Sequence, residues 1–158
     1  MRIGQYVIID EPRGFLHNSI YIGNFVHIRP GVVVGENSEI RDYVWLSENV
    51  IIGKNTNVYQ FCSIGFGTII GDNCFIGAGT ITADDKNITW PKKDYNNFPD
   101  YGYDKQPPII EDNVRVGMGS RILPGVILRG GCRIGMGAVV TKSTEPGETY
   151  IGVPARKQ

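Results

Sequence analysis

The sequence predicts an all-β fold in which short parallel strands wind around one core as a three-sided helix. Two observations predict it: aliphatic residues recur every six positions, and small or β-branched residues recur two positions before them. Residues two apart on a strand point to the same side, so each unit of six supplies two inward side chains and then a turn. The aliphatic series is Leu16, Ile22, Ile28, Val34, Ile40, Leu46, Ile52, Val58, Ile64, Ile70 and Ile76, then Ile110, Val116, Ile122, Leu128, Ile134 and Val140.

The small inward series accounts for the cysteines. Cys62, Cys74 and Cys132 all belong to it, at positions where Ser, Thr or Ala stand in other units. Their odd number and the absence of CxxC spacing favour packed thiols over a disulfide framework, a metal knuckle or a nucleophile. The remaining members are Val26, Val32, Ser38, Val44, Val50, Thr56, Thr68 and Thr80, then Val114, Ser120, Val126 and Ala138.

A longer period of eighteen residues indicates three strands per coil. Gly35, Gly53 and Gly71 are each followed two residues later by an asparagine, as the same corner on successive coils would be. Glycine and asparagine tolerate the left-handed backbone angles of tight corners. These glycines are therefore interpreted as corners and not as a phosphate cradle.

This pattern resembles the hexapeptide-repeat acyltransferases over residues 16–140. The resemblance implies that the β-helix is left-handed, a hand that the general preference for right-handed crossovers would not predict. It also implies a threefold homotrimer with its sites in the clefts between chains.

The chain is expected to form a single domain, 1–158. Residues 1–15 contain strand-like Ile3, Val7 and Ile9 off the six-residue register and are interpreted as an N-terminal cap. Coils are predicted over 16–81 and 110–141, separated by a protruding loop over 82–109 and followed by a C-terminal tail over 142–158.

The composition and charge of the chain bear on its binding partners and its cellular compartment. Sixteen basic and sixteen acidic residues balance, so no overall field favours nucleic acid or an anionic membrane surface. No apolar stretch is long enough for a membrane span, and Met1 to Asp10 lack the features of a signal peptide. A cytoplasmic protein without nucleic-acid or membrane partners is expected.

Side chains between the two inward positions point outward and form three columns. The aliphatic column of Val33, Ile51 and Ile69 is expected to be covered by a second copy of the chain, in a homotrimer. A second column is expected to flank a cleft, and a third, the most polar, to be the most solvated. The second contains His27, Trp45, Ser63 and Ile81, and the third Tyr21, Glu39, Asn57 and Phe75.

The 82–109 interruption is the main candidate for function, because long loops in compact folds are usually functional or disordered. Its five aromatic residues argue against plain disorder. Asn87, Trp90 and Tyr95 are candidate substrate-binding residues. A loop that only clasps the adjacent subunit is the alternative, and the two uses are compatible.

Residues 76–82, IGAGTIT, are similar to a stretch in the acetyltransferase domain of the bacterial bifunctional N-acetylglucosamine-1-phosphate uridyltransferases. Matching this family's motif puts Asp84 where it has an asparagine and Phe61 where it has a catalytic histidine. The order of coils, loop, coils and tail also resembles trimeric nucleotide-sugar N-acetyltransferases. These resemblances imply an enzyme that transfers an acetyl group from acetyl-CoA to an amino or hydroxyl group of a nucleotide-linked sugar.

Three residues are candidates for the base that acyl transfer needs. Asp84 and Asp85 stand at the root of the loop, where a carboxylate can orient and deprotonate an ammonium group; solvated turn charges are the alternative. His27 lies in the column of Ile81 but three coils away, about 14 Å at roughly 4.8 Å per coil. It is expected to act only through a neighbouring subunit, or else to pack on Trp45. Turn amides at 77–79 and 118–120 are candidate oxyanion donors.

The coenzyme is expected near the C-terminal coils and tail, because residues 152–157, GVPARK, resemble the ending of these acyltransferases. Arg115 and Arg133 are eighteen apart and would stack on adjacent coils, where two cations repel unless an anion lies nearby. Phosphates of acetyl-CoA or surface carboxylates such as Glu111 could supply that anion. The other candidate coenzyme-binding residues are Gly119, Ser120, Lys142 and Arg156.

The sequence bears on two other classes of function. A zinc-dependent carbonic anhydrase on the same fold takes three histidine ligands, whereas this chain contains only His17 and His27, so no metal is expected. A non-catalytic assembly or scaffold protein is the second class. Phe61 at the histidine position favours it, and the loop and tail argue against it.

Overall fold

The computed structural model describes residues 1–86 and 105–158, and every regular element in these ranges is a strand of two or three residues. Apart from one antiparallel pair in the C-terminal tail, the strands pair in parallel with those one coil away and form about seven turns of a β-helix. The all-β prediction is therefore confirmed.

Three sheets form the sides of the helix. Sheet A contains, in spatial order, β1 (Arg2–Ile3), β3 (Tyr21–Ile22), β6 (Glu39–Ile40), β9 (Asn57–Val58), β12 (Phe75–Ile76), β15 (Arg115–Val116), β18 (Arg133–Ile134), β20 (Thr149–Ile151) and β21 (Arg156–Lys157). Sheet B contains β2 (Ile8–Ile9), β4 (His27–Ile28), β7 (Trp45–Leu46), β10 (Ser63–Ile64), β13 (Ile81–Thr82), β16 (Arg121–Ile122) and β19 (Val139–Val140). Sheet C contains β5 (Val33–Val34), β8 (Ile51–Ile52), β11 (Ile69–Ile70), β14 (Ile109–Ile110) and β17 (Ile127–Leu128).

The stacking register continues across the interruption of the repeat. Ile69 on β11 pairs with Ile51 on one side and with Ile109 on the other, in the same parallel register. The chain therefore leaves the helix after β13 and re-enters at β14 without displacing the coils above.

Both inward series are buried along their whole length, as predicted. The hydroxyl groups of the polar members of the small series donate hydrogen bonds to carbonyl oxygens at the corners. Ser38 Oγ donates to Gly53 O at 2.7 Å, and Thr56 Oγ1 donates to Gly71 O at 2.8 Å. The three cysteines are buried and unpaired by disulfides. Burial raises the pKa of Cys62 and Cys74 to about 11, which makes them inert packed thiols at neutral pH.

At the predicted Gly-x-Asn corners the two residue types have different roles. Asn37, Asn55 and Asn73 have φ of 56°, 52° and 55°, the left-handed region. The glycines are needed for close approach: a Cβ at Gly53 would lie 2.6 Å from the carbonyl carbon of Gly71 in the next coil.

The aliphatic column is longer than predicted, whereas the third column is less solvated. Sheet C continues the column through Ile109 and Ile127 in register, so it contains five residues. Ile51 and Ile69 are more exposed in this single chain than the members of the third column, all of which are half-buried. The expectation that the third column is the most solvated was wrong, because Arg41 from the adjoining corner lies 5.6 Å from the ring centroid of Tyr21.

Residues 1–15 extend the helix by pairing. Arg2–Ile3 pairs in parallel with β3, and Ile8–Ile9 with β4, so the off-register residues continue sheets A and B. Within the described residues, no helix is long and apolar enough to cross a membrane.

Candidate active site

The two ends of the interrupting segment are held together where it leaves the β-helix. Asp85 and Lys105 form an isolated antiparallel bridge, and the amide of Gln106 donates to the carbonyl of Asp84 at 2.8 Å. This root projects from the corner between sheets B and C, beginning two residues after the end of β13. The segment therefore begins and ends at one point, with Asp84 and Asp85 beside it.

Asp84 combines partial burial with an adjacent cation. Its Oδ2 lies 3.6 Å from Nζ of Lys105, and its side chain is 19 % exposed. Burial, and secondarily the charge of Asp85, raise the pKa of Asp84, while Lys105 acts in the opposite direction. A carboxylate with a raised pKa is a stronger base than a solvated one.

The side chain of Asp85 contributes a hydrogen-bond acceptor to which no described residue donates. Its Oδ1 is buried and has no hydrogen-bond partner among the residues that the structure describes. A buried acceptor left unpaired is costly, and it is satisfied when a donor such as an ammonium group arrives.

Lys105 Nζ also lies 3.6 Å from the centroid of the Phe66 ring, which fixes its ammonium between a carboxylate and an aromatic face.

A chain of ion pairs continues along the same corner away from the root. Glu48 Oε1 accepts from Arg29 Nη2 at 2.7 Å, and Arg29 Nη1 donates to Asp10 Oδ2 at 2.7 Å. The hydrogen bond between Asp10 and His27 lowers the pKa of Asp10 although partial burial opposes it, and Arg29 lowers it further. Burial opposes ionisation of Glu48, but hydrogen bonds from the backbone and from Arg29 lower its pKa, and the charges of Arg29 and Lys105 act in the same direction.

The structure separates His27 from the loop root of its own chain. His27 Nε2 lies 2.9 Å from Asp10 Oδ2, and its ring meets that of Trp45 edge-on at a centroid distance of 4.5 Å. In sheet B, β4 is three strands from β13, as the repeat predicted. Contact of His27 with Trp45 is therefore confirmed, and any catalytic role would require a neighbouring chain.

Three of the predicted coenzyme-binding cations share one end of sheet A. Arg115 and Arg133 pair in register on β15 and β18, and Arg156 stands on β21, two strands further along the sheet. All three are exposed. Lys142 is not with them: it follows β19 of sheet B, on the corner above the loop root.

Several predicted amide and hydroxyl donors are already engaged within the fold. The amide of Gly119 donates to Ala78 O at 2.8 Å, and that of Gly79 to Gln60 O at 2.9 Å. Ser120 is fully buried, and its Oγ donates to Gly117 O at 2.8 Å. The amides of Gly79 and Gly119 and the hydroxyl of Ser120 are therefore used inside the fold. The role of Gly119 and Ser120 in coenzyme binding stays a prediction. Asn87, Trp90 and Tyr95 lie outside the described residues.

Two features at the corner between sheets A and B were missed from the sequence. Four aromatic residues stack there, and Arg121 binds corner carbonyls above them. The spacing of Phe25, Tyr43 and Phe61 by eighteen residues is the signal that could have revealed the stack. The stacked residues are Tyr6, Phe25, Tyr43 and Phe61.

Comparison with known families supports the repeat assignment. The family described as the hexapeptide repeat of succinyl-transferase matches residues 48–81 and 107–142. The bifunctional protein GlmU of Baumannia cicadellinicola is 32 % identical over 149 residues, covering 94 % of this chain and 28 % of that protein. The serine acetyltransferase of Buchnera aphidicola is 33 % identical over 81 residues, covering 51 % of this chain and 31 % of that enzyme. The chain thus spans about a third or less of these relatives.

A solved structure with the same fold is a variant of AntD, an N-acyltransferase from Bacillus cereus, in complex with dTDP and coenzyme A. It matches with a TM-score of 0.69 at 24 % identity, over 99 % of this chain and 81 % of that one. At this identity the match establishes the fold, the left-handed parallel β-helix of hexapeptide repeats.

Proposed function

We propose that this chain, which belongs to the hexapeptide-repeat family, is an acetyltransferase that moves an acetyl group from acetyl-CoA to an amino group of a nucleotide-linked sugar. A sugar hydroxyl group is the second possible acceptor. The observation that carries the proposal is the partly buried carboxylate pair Asp84 and Asp85 at the root of the interrupting segment, on a β-helix whose relatives include a serine acetyltransferase.

The acceptor chemistry follows from the two carboxylates. An amine reaches neutral pH as an ammonium ion and must lose a proton before it can attack. Asp85 Oδ1, which lacks a donor among the described residues, would accept a hydrogen bond from the incoming group. Asp84, whose pKa burial raises, would take the proton. Lys105, 3.6 Å away, stabilises Asp84 in the ionised form that a base requires.

The donor side is assigned to sheet A. Acetyl-CoA supplies the acetyl group as an activated thioester. Arg115, Arg133 and Arg156 fit the phosphates of this donor because they are exposed cations at one end of sheet A. Arg115 and Arg133 lie on adjacent strands, where an anion would relieve their mutual repulsion. Attack of the neutral amine on the thioester carbonyl forms the C–N bond, and collapse of the tetrahedral intermediate breaks the C–S bond. The proton held by Asp84 then passes to the departing thiolate, and the second nitrogen proton is released to solvent as the amide forms. No metal is part of this proposal.

The homotrimer is part of the proposal, because the donor residues and Asp84 lie on different sides of one chain. Arg115 and Arg133 stand on sheet A, whereas Asp84 projects from the corner between sheets B and C. A cleft between two chains would bring one copy's sheet A to the other's corner. The five-residue aliphatic column on sheet C, with Ile51 and Ile69 exposed at 43 % and 40 %, is the surface proposed to be covered on assembly.

Titration calorimetry tests the donor assignment. Acetyl-CoA and free coenzyme A are titrated into the wild-type protein and into Arg115→Ala/Arg133→Ala. Micromolar binding by wild type, weakened at least tenfold in the double variant, is the expected result. Absence of binding at millimolar ligand would leave the scaffold alternative, with the interrupting segment as a clasp between chains.

A further inference from the structure

Four exposed aromatic rings form a continuous stack along the corner between sheets A and B. Tyr6 and Phe25 have centroids 4.8 Å apart, Phe25 and Tyr43 4.9 Å, and Tyr43 and Phe61 5.1 Å. The interplanar angles are 10°, 7° and 11°, so the rings lie nearly parallel. Both faces of each inner ring are covered by the neighbouring rings.

These residues occupy a backbone conformation that bulky side chains rarely adopt. Their φ angles are 57°, 55°, 59° and 60° along the stack, whereas comparable corners of this chain carry asparagine or glycine. Stacking between the rings offsets the strain for the inner members. Phe61, at the end of the stack, has a neighbouring ring on one face only.

The stack ends at Phe61 because the next coils carry glycine at the equivalent position. Gly79, Gly119 and Gly137 continue the column, and a Cβ built on either of the last two would meet no atom within 4 Å. The side chain of Phe61 is 62 % exposed. Its outer face therefore opens onto a shelf that no side chain of the column fills.

A cation stands beside this shelf. Nη1 of Arg121 donates to the carbonyls of Gly79, Gly119 and Ser120, at 3.1, 2.6 and 3.2 Å. These bonds fix the guanidinium at the corner through one nitrogen, and within the described part of the chain Nε and Nη2 have no assigned hydrogen bond. An anion can therefore be bound by the other edge of the guanidinium.

A cavity adjoins the stack on the sheet A side. Its volume is about 310 Å³, and its lining includes Phe61, Tyr43 and the polar side chains of Arg41 and Gln60. Nε of Arg41 is buried without a hydrogen-bond partner among the described residues. The end of the stack thus combines an open aromatic face, an open shelf and one guanidinium nitrogen, Nε of Arg41, without a hydrogen-bond partner among the described residues.

We propose that this corner binds a nucleotide, with its base stacked on the outer face of Phe61 and its phosphate on Arg121. A planar base extends the row of parallel rings, and stacking on an aromatic side chain is strong for any base. The inference deepens the proposed function and rests on it for the source of the base: a nucleotide-linked acceptor, or the adenine of coenzyme A. Pyrimidine and adenine ligands distinguish these sources.

Calorimetric titration of matched variants tests the site. The probes are UDP, dTDP, adenosine 3′,5′-bisphosphate and pyrophosphate. Phe61→Leu removes the stacking face and keeps apolar volume, while Phe25→Leu makes the same change inside the stack, where both faces are covered. Loss of one stacked base predicts about 5- to 150-fold weaker nucleotide binding in Phe61→Leu. Phe25→Leu and Phe61→Tyr should bind as wild type, and pyrophosphate binding should not change in any of the three.

Arg121→Gln should weaken both the nucleotides and pyrophosphate. Tighter binding of UDP or dTDP assigns the corner to the acceptor, and tighter binding of the adenosine bisphosphate assigns it to the coenzyme. Unchanged nucleotide affinity in Phe61→Leu, equal losses in Phe61→Leu and Phe25→Leu, or no nucleotide binding at millimolar concentration would each overturn the inference.

The proposed transferase activity is separable from this site. Thiol release from acetyl-CoA in the presence of amino sugars is measured in the same variants. Turnover by a Phe61→Leu protein of unchanged nucleotide affinity would overturn this inference and leave the transferase standing. Nucleotide binding that depends on Phe61, without turnover for any acceptor, would overturn the proposed transferase activity and leave this inference intact.

Discussion

The carboxylate of Asp84 faces the ammonium group of Lys105 at 3.6 Å, across the two ends of the segment that interrupts the coils. The pair joins a residue that follows β13 to one that precedes β14, so it ties the proposed base to the closure of the segment root. Partial burial makes the charge of Asp84 costly, and Lys105 offsets that cost. This relationship underlies the first two predictions.

Replacing Asp84 by Asn should lower turnover by about 100-fold or more, the usual scale for a general base. The fold should survive, because the change removes a partly buried charge and keeps the side chain's shape. Steady-state thiol release and thermal unfolding measure the two effects. Glu36→Gln, an exposed corner carboxylate, is the control and should behave as wild type. Near-normal turnover in Asp84→Asn would remove Asp84 from the mechanism.

The pH dependence of kcat/KM should report the raised pKa of Asp84. Because the base must be ionised, activity falls as pH drops through that pKa, so the acid limb should lie above the ordinary range for aspartate, about 4. Asp85→Asn removes a neighbouring negative charge and should move the limb to lower pH. Lys105→Met removes a cation and should move it to higher pH. Opposite shifts, or none, would refute this assignment.

Ile51→Asp should dissociate the proposed trimer. The change places a charge within the aliphatic column, where burial on assembly would be unfavourable. Sedimentation velocity should show a trimer for wild type and a monomer for the variant. Asn57→Asp, on sheet A of the same coil, should leave the mass unchanged. A wild-type monomer, or an Ile51→Asp trimer, would exclude this column as the interface.

Gly53→Ala should destabilise the β-helix, because the added Cβ would lie 2.6 Å from the backbone of Gly71 and 2.3 Å from Oδ1 of Asp72. Either the two coils separate locally or the corner distorts. Urea unfolding should show a loss of about 1–3 kcal/mol, the range for overpacking. Asn55→Gly, two residues away at positive φ, should cost little. Wild-type stability of Gly53→Ala would mean that the corner adapts without strain.

The core could be predicted from the sequence because its two inward series follow a strict period, and each member needs only to be apolar or small. The pairing of Asp84 with Lys105 could not, since the intervening segment does not follow that period. The solvation of the third column was wrongly predicted because side chains from adjacent corners, such as Arg41 beside Tyr21, depend on where a turn directs them. The family motif marks Phe61 only as the residue at the histidine position, although its spacing from Tyr43 indicates the aromatic stack.

Release of coenzyme A thiol from acetyl-CoA, measured with wild type and Asp84→Asn against a panel of amino-sugar nucleotides, tests the proposed acetyl transfer most directly. Thiol release is expected with at least one amino sugar, dependent on enzyme and acceptor and stoichiometric with acetylated product. It should be reduced about 100-fold or more in Asp84→Asn. Thiol release that needs no acceptor, or that is equal in the two proteins, would contradict it.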